Sequence, residues 1–545
     1  MKGFDIGRFW TRWLIFTLLL APSILRVLLL DDYGLLHIEV GVALALATGI
    51  AAGLAALTAS ATVMHAVTAA LIVLMSISAI RTDFFPGMRL RLLLAALIPA
   101  VIVGILILRQ NFYRLLAIFL AGAFVADLGK AVFTGSPALL PSASSAAASQ
   151  KHNHVVHIVL DEMIGLAAMP PECADCTVAR AGLEETFRRG NFRTYPYAFS
   201  NYGVTRDSLP SLLNAHLLDR CEEYFPDGDD DPVLNENAYF DHYLAKKYDI
   251  RVIQSNYILY SSDKYPSLVS STYRVNSLKA LHSMDLPWPA RLKQILMIWF
   301  RSDQLWRNLW EGATPARFHF REMRVGPLAL RKSWQHRIVS GIRHAKKDTL
   351  FFAHLLFPHY PYVYRPDGSI RNPAEWADAS SVEQLSYDNP EQYRRMYSLY
   401  GQQAQFLNHQ LAAFLDDLRE TGQYDSTTIL IHGDHGSRLR LVTAADRSSL
   451  AGAGAAPAGC HPLSYFTYES DPEPRDLRNR FATLLAIKPP GASQPETINE
   501  KGSLIRFLWK PLAPEVVQSS AAAIDSVYLF DRQGRPIAIP GAQLW

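Results

Sequence analysis

TILIHGDHG, residues 428–436, decides how this chain is read. The apolar run Thr428-Ile429-Leu430-Ile431 predicts a buried strand, which puts Gly433-Asp434-His435-Gly436 at the strand's carboxyl end. Open α/β sheets bind their ligands at that edge. An acid beside a neutral imidazole on a strand-ending loop suits a divalent metal of the zinc or manganese type, because rigid backbone orients one oxygen and one nitrogen donor. For these four residues alone, a surface turn is the competing reading.

A second segment bears on that choice. Val155-Val156-His157-Ile158-Val159-Leu160 reads as another buried, β-branched strand, and it runs directly into Asp161-Glu162. If the two strands are parallel neighbours, Asp161, Asp434 and His435 meet at one sheet edge within reach of a single ion. Acids that merely cap following helices are the alternative. Between the two strands, Ser200 to Leu213 (SNYGVTRDSLPSLL) passes from small turn formers into an apolar helical run. A hydroxyl at such a junction faces backbone N–H groups and the positive end of a helix, so Thr205 is a candidate metal-assisted nucleophile. The simpler role for a Thr or Ser there is an N-cap.

Four stretches together carry a family resemblance: HIVLDEM from His157, T-x-x-S-x-P from Thr205 to Pro210, HLLFPHYP from His354 to Pro361, and GDHG at 433–436. They resemble the alkaline-phosphatase superfamily, and within it the sulfatase-like membrane enzymes that include phosphoethanolamine transferases and lipoteichoic acid synthase. The resemblance implies that Thr205, five residues before Pro210, is the nucleophile that becomes phosphorylated. It implies metal ligation by Asp161, Thr205, Asp434 and His435, and substrate-phosphate or second-metal binding by His354 and His359. Asp161 stands where the transferases usually carry Glu. Sulfatases proper carry paired acids there, so Glu162 is a further candidate ligand. Ser208-Leu209-Pro210-Ser211 approaches the sulfatase pattern C/S-x-P-S-R, with Ser208 at its modified position, but Leu212 stands where that pattern needs Arg. A third ligand His falls loosely on His461. One or two divalent ions are implied, of the zinc or manganese type, with calcium or magnesium as alternatives.

The resemblance runs from about Val155 to Gly491, and the periodicity around the motifs agrees with it. Tyr397 to Leu418 is an amphipathic helix with Leu399, Phe406, Leu407, Leu411 and Leu415 at helical spacing, turning at Gly422 into the 428 strand. Phe481 to Ile487 reads as a further strand, and Tyr239 to Lys247 followed by Ile250 to Ile253 as a helix and strand. This alternation predicts a mostly parallel sheet flanked by helices.

Within 545 residues, 49% of them hydrophobic, the apolar residues are concentrated at the amino end. Leu14–Leu30, Leu35–Leu57, Thr62–Ile80, Leu92–Leu108 and Leu115 to about Val132 are each near the ~20 residues that cross a bilayer. Successive spans make the first an anchor rather than a cleaved signal. The expected organisation is an all-α membrane domain of about five transmembrane helices at 1–133, a flexible linker at 134–153 and an alkaline-phosphatase-like α/β catalytic domain at 154–545. Lys2, Arg8, Arg109 and Arg114 favour a cytoplasmic amino terminus, whereas Arg81, Arg89 and Arg91 oppose it. The spans predict a multi-pass protein of a bacterial-type inner membrane whose odd number of crossings puts the rest of the chain on the far side, and the resemblance independently implies a periplasmic or extracytoplasmic catalytic domain.

All four cysteines, Cys173, Cys176, Cys221 and Cys460, follow the membrane domain, an even number that suits disulfides in an oxidising compartment. Zinc at Cys173-Ala174-Asp175-Cys176 is the weaker reading, because no second CxxC accompanies it. A net charge of +3, with no basic cluster interleaved with aromatics, gives no nucleic-acid signal. Leu286 to Trp310 carries an apolar helical stripe opposite Arg and Lys that suits either packed core or a membrane surface. The expected activity is transfer of a phosphoethanolamine- or phosphoglycerol-type group from a membrane phospholipid to a cell-envelope glycan or lipid. A sulfate or phosphate ester hydrolase and a non-enzymatic membrane sensor are the alternatives.

Overall fold

The computed structural model describes residues 6–30, 38–58, 63–69, isolated positions from 99 to 118, then 152–225, 232–260, 262–273, 333–371, 375, 390–437, 439, 474–519, 521–531 and 533–545. These residues fall into two compact units, one holding the amino-terminal helices and the other everything from residue 152 on.

In the first unit, α1 (Ile6–Leu30) packs against α2 (Ile38–Leu57). Ala43, Ala47, Ala51 and Ala55 are buried at a four-residue spacing, a stripe of small side chains that lets helix backbones approach closely. Trp13 Nε1 reaches across the pair to the Thr48 carbonyl at 3.2 Å. Among the described residues one helix segment, Val40–Leu57, is long and apolar enough to cross a membrane, with mean hydropathy 2.2, and Phe9–Ala21 is a shorter apolar segment. The predicted spans Thr62–Ile80, Leu92–Leu108 and Leu115–Val132 lie wholly or mostly outside the described residues, as do the 286–310 stripe, Cys460 and His461. Among the described residues, one of the five expected spans is thus present as a membrane-length helix.

The second unit is built on an eight-stranded sheet. Its strands, with those of two small ribbons, are β1 (Val155–Leu160), β2 (Arg193–Thr194), β3 (Ala198–Phe199), β4 (Asp249–Ser255), β5 (Val269–Tyr273), β6 (Thr349–Leu355), β7 (Thr428–Gly433), β8 (Leu485–Lys488), β9 (Glu496–Thr497), β10 (Gly502–Ser503), β11 (Ser526–Phe530) and β12 (Pro536–Pro540). The large sheet runs β5-β4-β6-β1-β7-β8-β2-β9, while β3 pairs with β10 and β11 with β12. β5, β4, β6, β1 and β7 are mutually parallel. Every residue of β1 and β6 is buried, as a parallel strand covered on both faces requires.

Register positions the site. Leu160 pairs with Leu355 on one side and Gly433 on the other, so β1, β6 and β7 end level and release their next residues at one edge. β8 runs antiparallel to β7 and is shorter than expected: Phe481 ends a helix (Pro474–Phe481), Ala482 and Thr483 form isolated bridges, and the strand begins only at Leu485. An unbroken apolar run carries no signal that separates the end of a buried helix from the start of a buried strand, which is why Phe481 to Ile487 read as one strand.

The helices that matter for the site are α3 (Ala174–Arg189), α4 (Thr205–Asn214), α5 (Ala238–Ala245), α6 (Ser333–Arg343), α7 (Pro390–Glu420) and α8 (Pro474–Phe481). α7 extends beyond the expected 397–418, packs along α3, and buries Leu399, Phe406, Leu407, Leu411 and Leu415. Gly422, at φ 70°, takes the left-handed conformation that turns the chain toward β7. Cys173 and Cys176 form a disulfide at the start of α3, and Cys221 is also disulfide-bonded.

Candidate active site

Asp161 and Asp434 are the first residues past β1 and β7, and their backbones continue the ladder: Asp161 N donates to Leu355 O at 2.9 Å and Asp434 N to Leu160 O at 3.3 Å. The carboxylates therefore stand on fixed main chain. Asp434 Oδ1 accepts from Glu162 N at 3.0 Å and from His435 N at 2.8 Å. Its Oδ2 accepts no hydrogen bond from the described residues and lies 3.4 Å from His435 Nε2. His435 Nδ1 faces the Gly436 carbonyl at 2.6 Å and so carries the ring proton, leaving the Nε2 lone pair turned inward. That nitrogen is 3.2 Å from Thr205 Oγ1 and 3.8 Å from Asp161 Oδ1, and Thr205 Oγ1 is 3.5 Å from Asp161 Oδ1.

Thr205 is the first residue of α4 rather than its cap. Val204, with extended backbone, precedes it and offers no capping side chain. The hydroxyl is thus directed to the sheet edge at a helix amino terminus, the environment the sequence predicted.

Asp161, Asp434, His435 and Thr205 are all buried, and the first three form a set whose ligand atoms lie within 4.8 Å of one another. Two carboxylates, an imidazole lone pair and a hydroxyl oxygen converge with few protons to share. Burial pushes the Asp434 carboxyl up, and nearby His354 and the Glu162 and His435 amides only partly oppose it. A buried set of acceptors facing one another is unfavourable without a cation, and three oxygens with one nitrogen fit a zinc- or manganese-type ion.

Asp161, Glu162 and His359 form a second set of the same compactness that shares Asp161 with the first. His359 Nδ1 bonds to the Tyr360 carbonyl and Nε2 lies 3.6 Å from Glu162 Oε1. Glu162, a further candidate from the sequence, is fully buried, and its φ of 63° is a conformation that costs an ordinary side chain free energy.

His354 lies within β6, one residue before its end. Its Nδ1 meets Tyr260 Oη at 3.2 Å, and its Nε2 has no hydrogen-bond partner among the described residues. Burial lowers its pKa to about 4 while the Asp434 charge opposes the shift. Ser208 is buried one turn along α4, and its hydroxyl makes no hydrogen bond to the cluster. His461 lies outside the described residues.

Both glycines of GDHG are required by packing. A Cβ at 433 would sit 2.5 Å from the Met163 carbonyl, and one at 436 would sit 2.9 Å from the Ala482 carbonyl and overlap that of Asn479. The motif is therefore wedged between the β1 loop and the α8–β8 segment.

Several contributors gave no sequence signal. Tyr260 orients His354 from a loop 94 residues upstream. Beneath the site, His157 Nε2 lies 2.7 Å from His432 Nε2, with His157 Nδ1 bonded to Tyr239 Oη and His432 Nδ1 to Gly433 O. Burial lowers the pKa of both imidazoles, so the pair is neutral.

Comparison with known proteins agrees with the motifs. A sulfatase family model matches residues 315–470, a segment that includes HLLFPHYP and GDHG. This stands with the resemblance to the sulfatase-like branch of the alkaline-phosphatase superfamily. No curated protein sequence matches the chain. Similar solved structures include a phosphonate monoester hydrolase of Agrobacterium radiobacter (12% identity, 66% of this chain and 74% of that one, TM-score 0.38). Another is the C-terminal periplasmic domain of EcEptC from Escherichia coli in complex with Zn (11%, 73% and 94%, 0.40). A third is a putative sulfatase from Bacteroides thetaiotaomicron (11%, 67% and 71%, 0.39).

Proposed function

We propose that this chain is a membrane-anchored, metal-dependent transferase that moves a phosphoethanolamine- or phosphoglycerol-type group from a phospholipid to a glycan or lipid of the cell envelope. One observation carries the reading: Thr205 Oγ1, at a helix amino terminus, converges with Asp161 and His435 beside Asp434 in a buried pocket of acceptors.

Asp161, Asp434, His435 and Thr205 would hold the ion, which when bound lowers the hydroxyl's pKa and offsets charge on the phosphoryl oxygens. Thr205 Oγ1 releases its proton to solvent and forms a bond to phosphorus as the bond from phosphorus to the lipid's glycerol oxygen breaks. His359, with Nε2 facing the site, gives that oxygen its proton, and His354 Nε2 binds a phosphoryl oxygen. An acceptor hydroxyl then displaces the threonyl ester, which makes the kinetics ping-pong. Residues 1–133 supply the anchor, 134–153 the tether, and 154–545 the catalytic domain outside the cytoplasm.

The sulfatase family match favours a second reading, hydrolysis of a sulfate or phosphate ester at the same residues with water as final acceptor. Mass spectrometry of envelope lipids and glycans from cells carrying the chain or its Thr205→Ala variant tests the first. Transfer predicts an envelope component whose mass falls by one head group in the variant, and identical profiles refute it. Head-group phosphate released by purified protein in water alone supports hydrolysis.

A further inference from the structure

Three residues on one face of α7 each grip a different loop of the site. Tyr397, Tyr400 and Gln403 follow one another at three-residue intervals, a spacing that keeps side chains on one side of a helix, and all three are fully buried. Tyr397 Oη donates to Leu439 O, just past GDHG, at 3.3 Å. Tyr400 Oη accepts from Ile164 N at 2.9 Å and donates to Glu162 O at 3.1 Å. It thereby brackets the turn in which Glu162 holds its left-handed backbone.

Gln403 does the same for the loop that carries His359. Its Oε1 accepts from Val363 N at 2.8 Å and Tyr364 N at 3.2 Å, and its Nε2 donates to Pro358 O at 2.9 Å and His359 O at 3.0 Å. With a longer contact to Pro361 O at 3.5 Å, one amide thus serves two donors and three acceptors of a single loop. We propose that Tyr400 and Gln403 are positioning residues that hold Glu162 and His359 face to face at the second half of the site. The inference rests on the proposed chemistry for its consequence, though not for its geometry.

The test is a double-mutant cycle in the full chain, purified in detergent micelles, with bis(p-nitrophenyl) phosphate as probe. Gln403→Met keeps the volume and removes all of these bonds. Its kcat falls about 10–100-fold, the usual cost of losing a group that orients a site residue, while KM stays within about threefold. In a His359→Ala background the same substitution lowers kcat by less than about twofold, because its effect passes through His359. Losses that multiply, or an unchanged kcat in Gln403→Met, overturn the inference. Should Gln403→Met not fold, Tyr400→Phe in a Glu162→Gln background reads the other arm by the same rule. If the unaltered protein does not turn the probe over, the functional reading falls instead, and a crystal structure of Gln403→Met decides: residues 358–364 displaced supports the inference, and the same residues unmoved refutes it.

Discussion

Gly436→Ala tests whether the metal-type cluster depends on close backbone contact rather than on side chains alone. The added Cβ would lie 2.8 Å from the Arg480 carbonyl carbon and 2.9 Å from Ala482 O, and it would overlap Asn479 O. All three are backbone atoms, so no flexible side chain can yield. Restoring contacts of about 3.5 Å, at Asn479 O above all, moves the GDHG loop and the end of α8 apart by more than about 1 Å. Overpacking of this kind costs about 1–3 kcal/mol of stability. The larger effect falls on His435, whose Nδ1 is anchored to the Gly436 carbonyl and whose Nε2 lies 3.2 Å from Thr205 Oγ1. A displacement near 1 Å at reacting groups costs on the order of 100-fold in rate. The assay is phosphodiester turnover by the detergent-purified chain beside a thermal melt. The expected result is a melting temperature lower by a few degrees and kcat reduced about 100-fold. Wild-type kcat and melting temperature together would refute the packing argument.

Three further outcomes follow from the geometry. Asp434→Asn keeps an oxygen for the Glu162 and His435 amides but removes one of the cluster's two carboxylate charges, so zinc or manganese binding weakens at least about 100-fold; elemental analysis that finds full occupancy contradicts this. Stability falls as pH drops below the ordinary imidazole range, because buried His154 and His432 have pKa values lowered to about 4. Each folded-state imidazole binds its proton later than the unfolded one, so stability is complete above pH ~6.5 and declines toward pH ~4 by about 1.4 kcal/mol per unit per group. Melting temperatures that do not change between pH 7 and 5 would contradict neutral burial. Tyr260→Phe removes the hydroxyl partner of His354 Nδ1 and costs about 1 kcal/mol in a denaturant melt, with a lower kcat; no change in either measurement means the contact does not orient the ring.

Residues at strand ends were legible because β1 and β7 announce themselves locally. A short β-branched or apolar run that leads within two residues to an acid needs only a parallel pairing to place Asp161 and Asp434 together, and the Leu160–Gly433 register supplies it. Thr205 was legible from the change of composition around it. What escaped reading depends on contacts between residues far apart in sequence. Gln403 and the loop it grips are separated by about forty residues, and Tyr400 is more than two hundred from Glu162. In the sequence α7 showed only its apolar stripe, and polar side chains on the same buried face look like ordinary surface residues until their partners are known. The backbone of Glu162 was equally hidden, since left-handed conformation at a residue other than glycine has no compositional mark. The direction of β8 was unreadable for a related reason: an apolar run states burial, not orientation.

The central claim is that the hydroxyl at position 205 becomes a nucleophile toward phosphorus. Peptide mass spectrometry after brief exposure of the metal-loaded protein to phospholipid vesicles measures this directly. The account predicts a phosphorus-containing head-group mass on Thr205 that disappears on addition of an acceptor alcohol. An unmodified Thr205, in a sample whose lipid is nevertheless consumed, contradicts it.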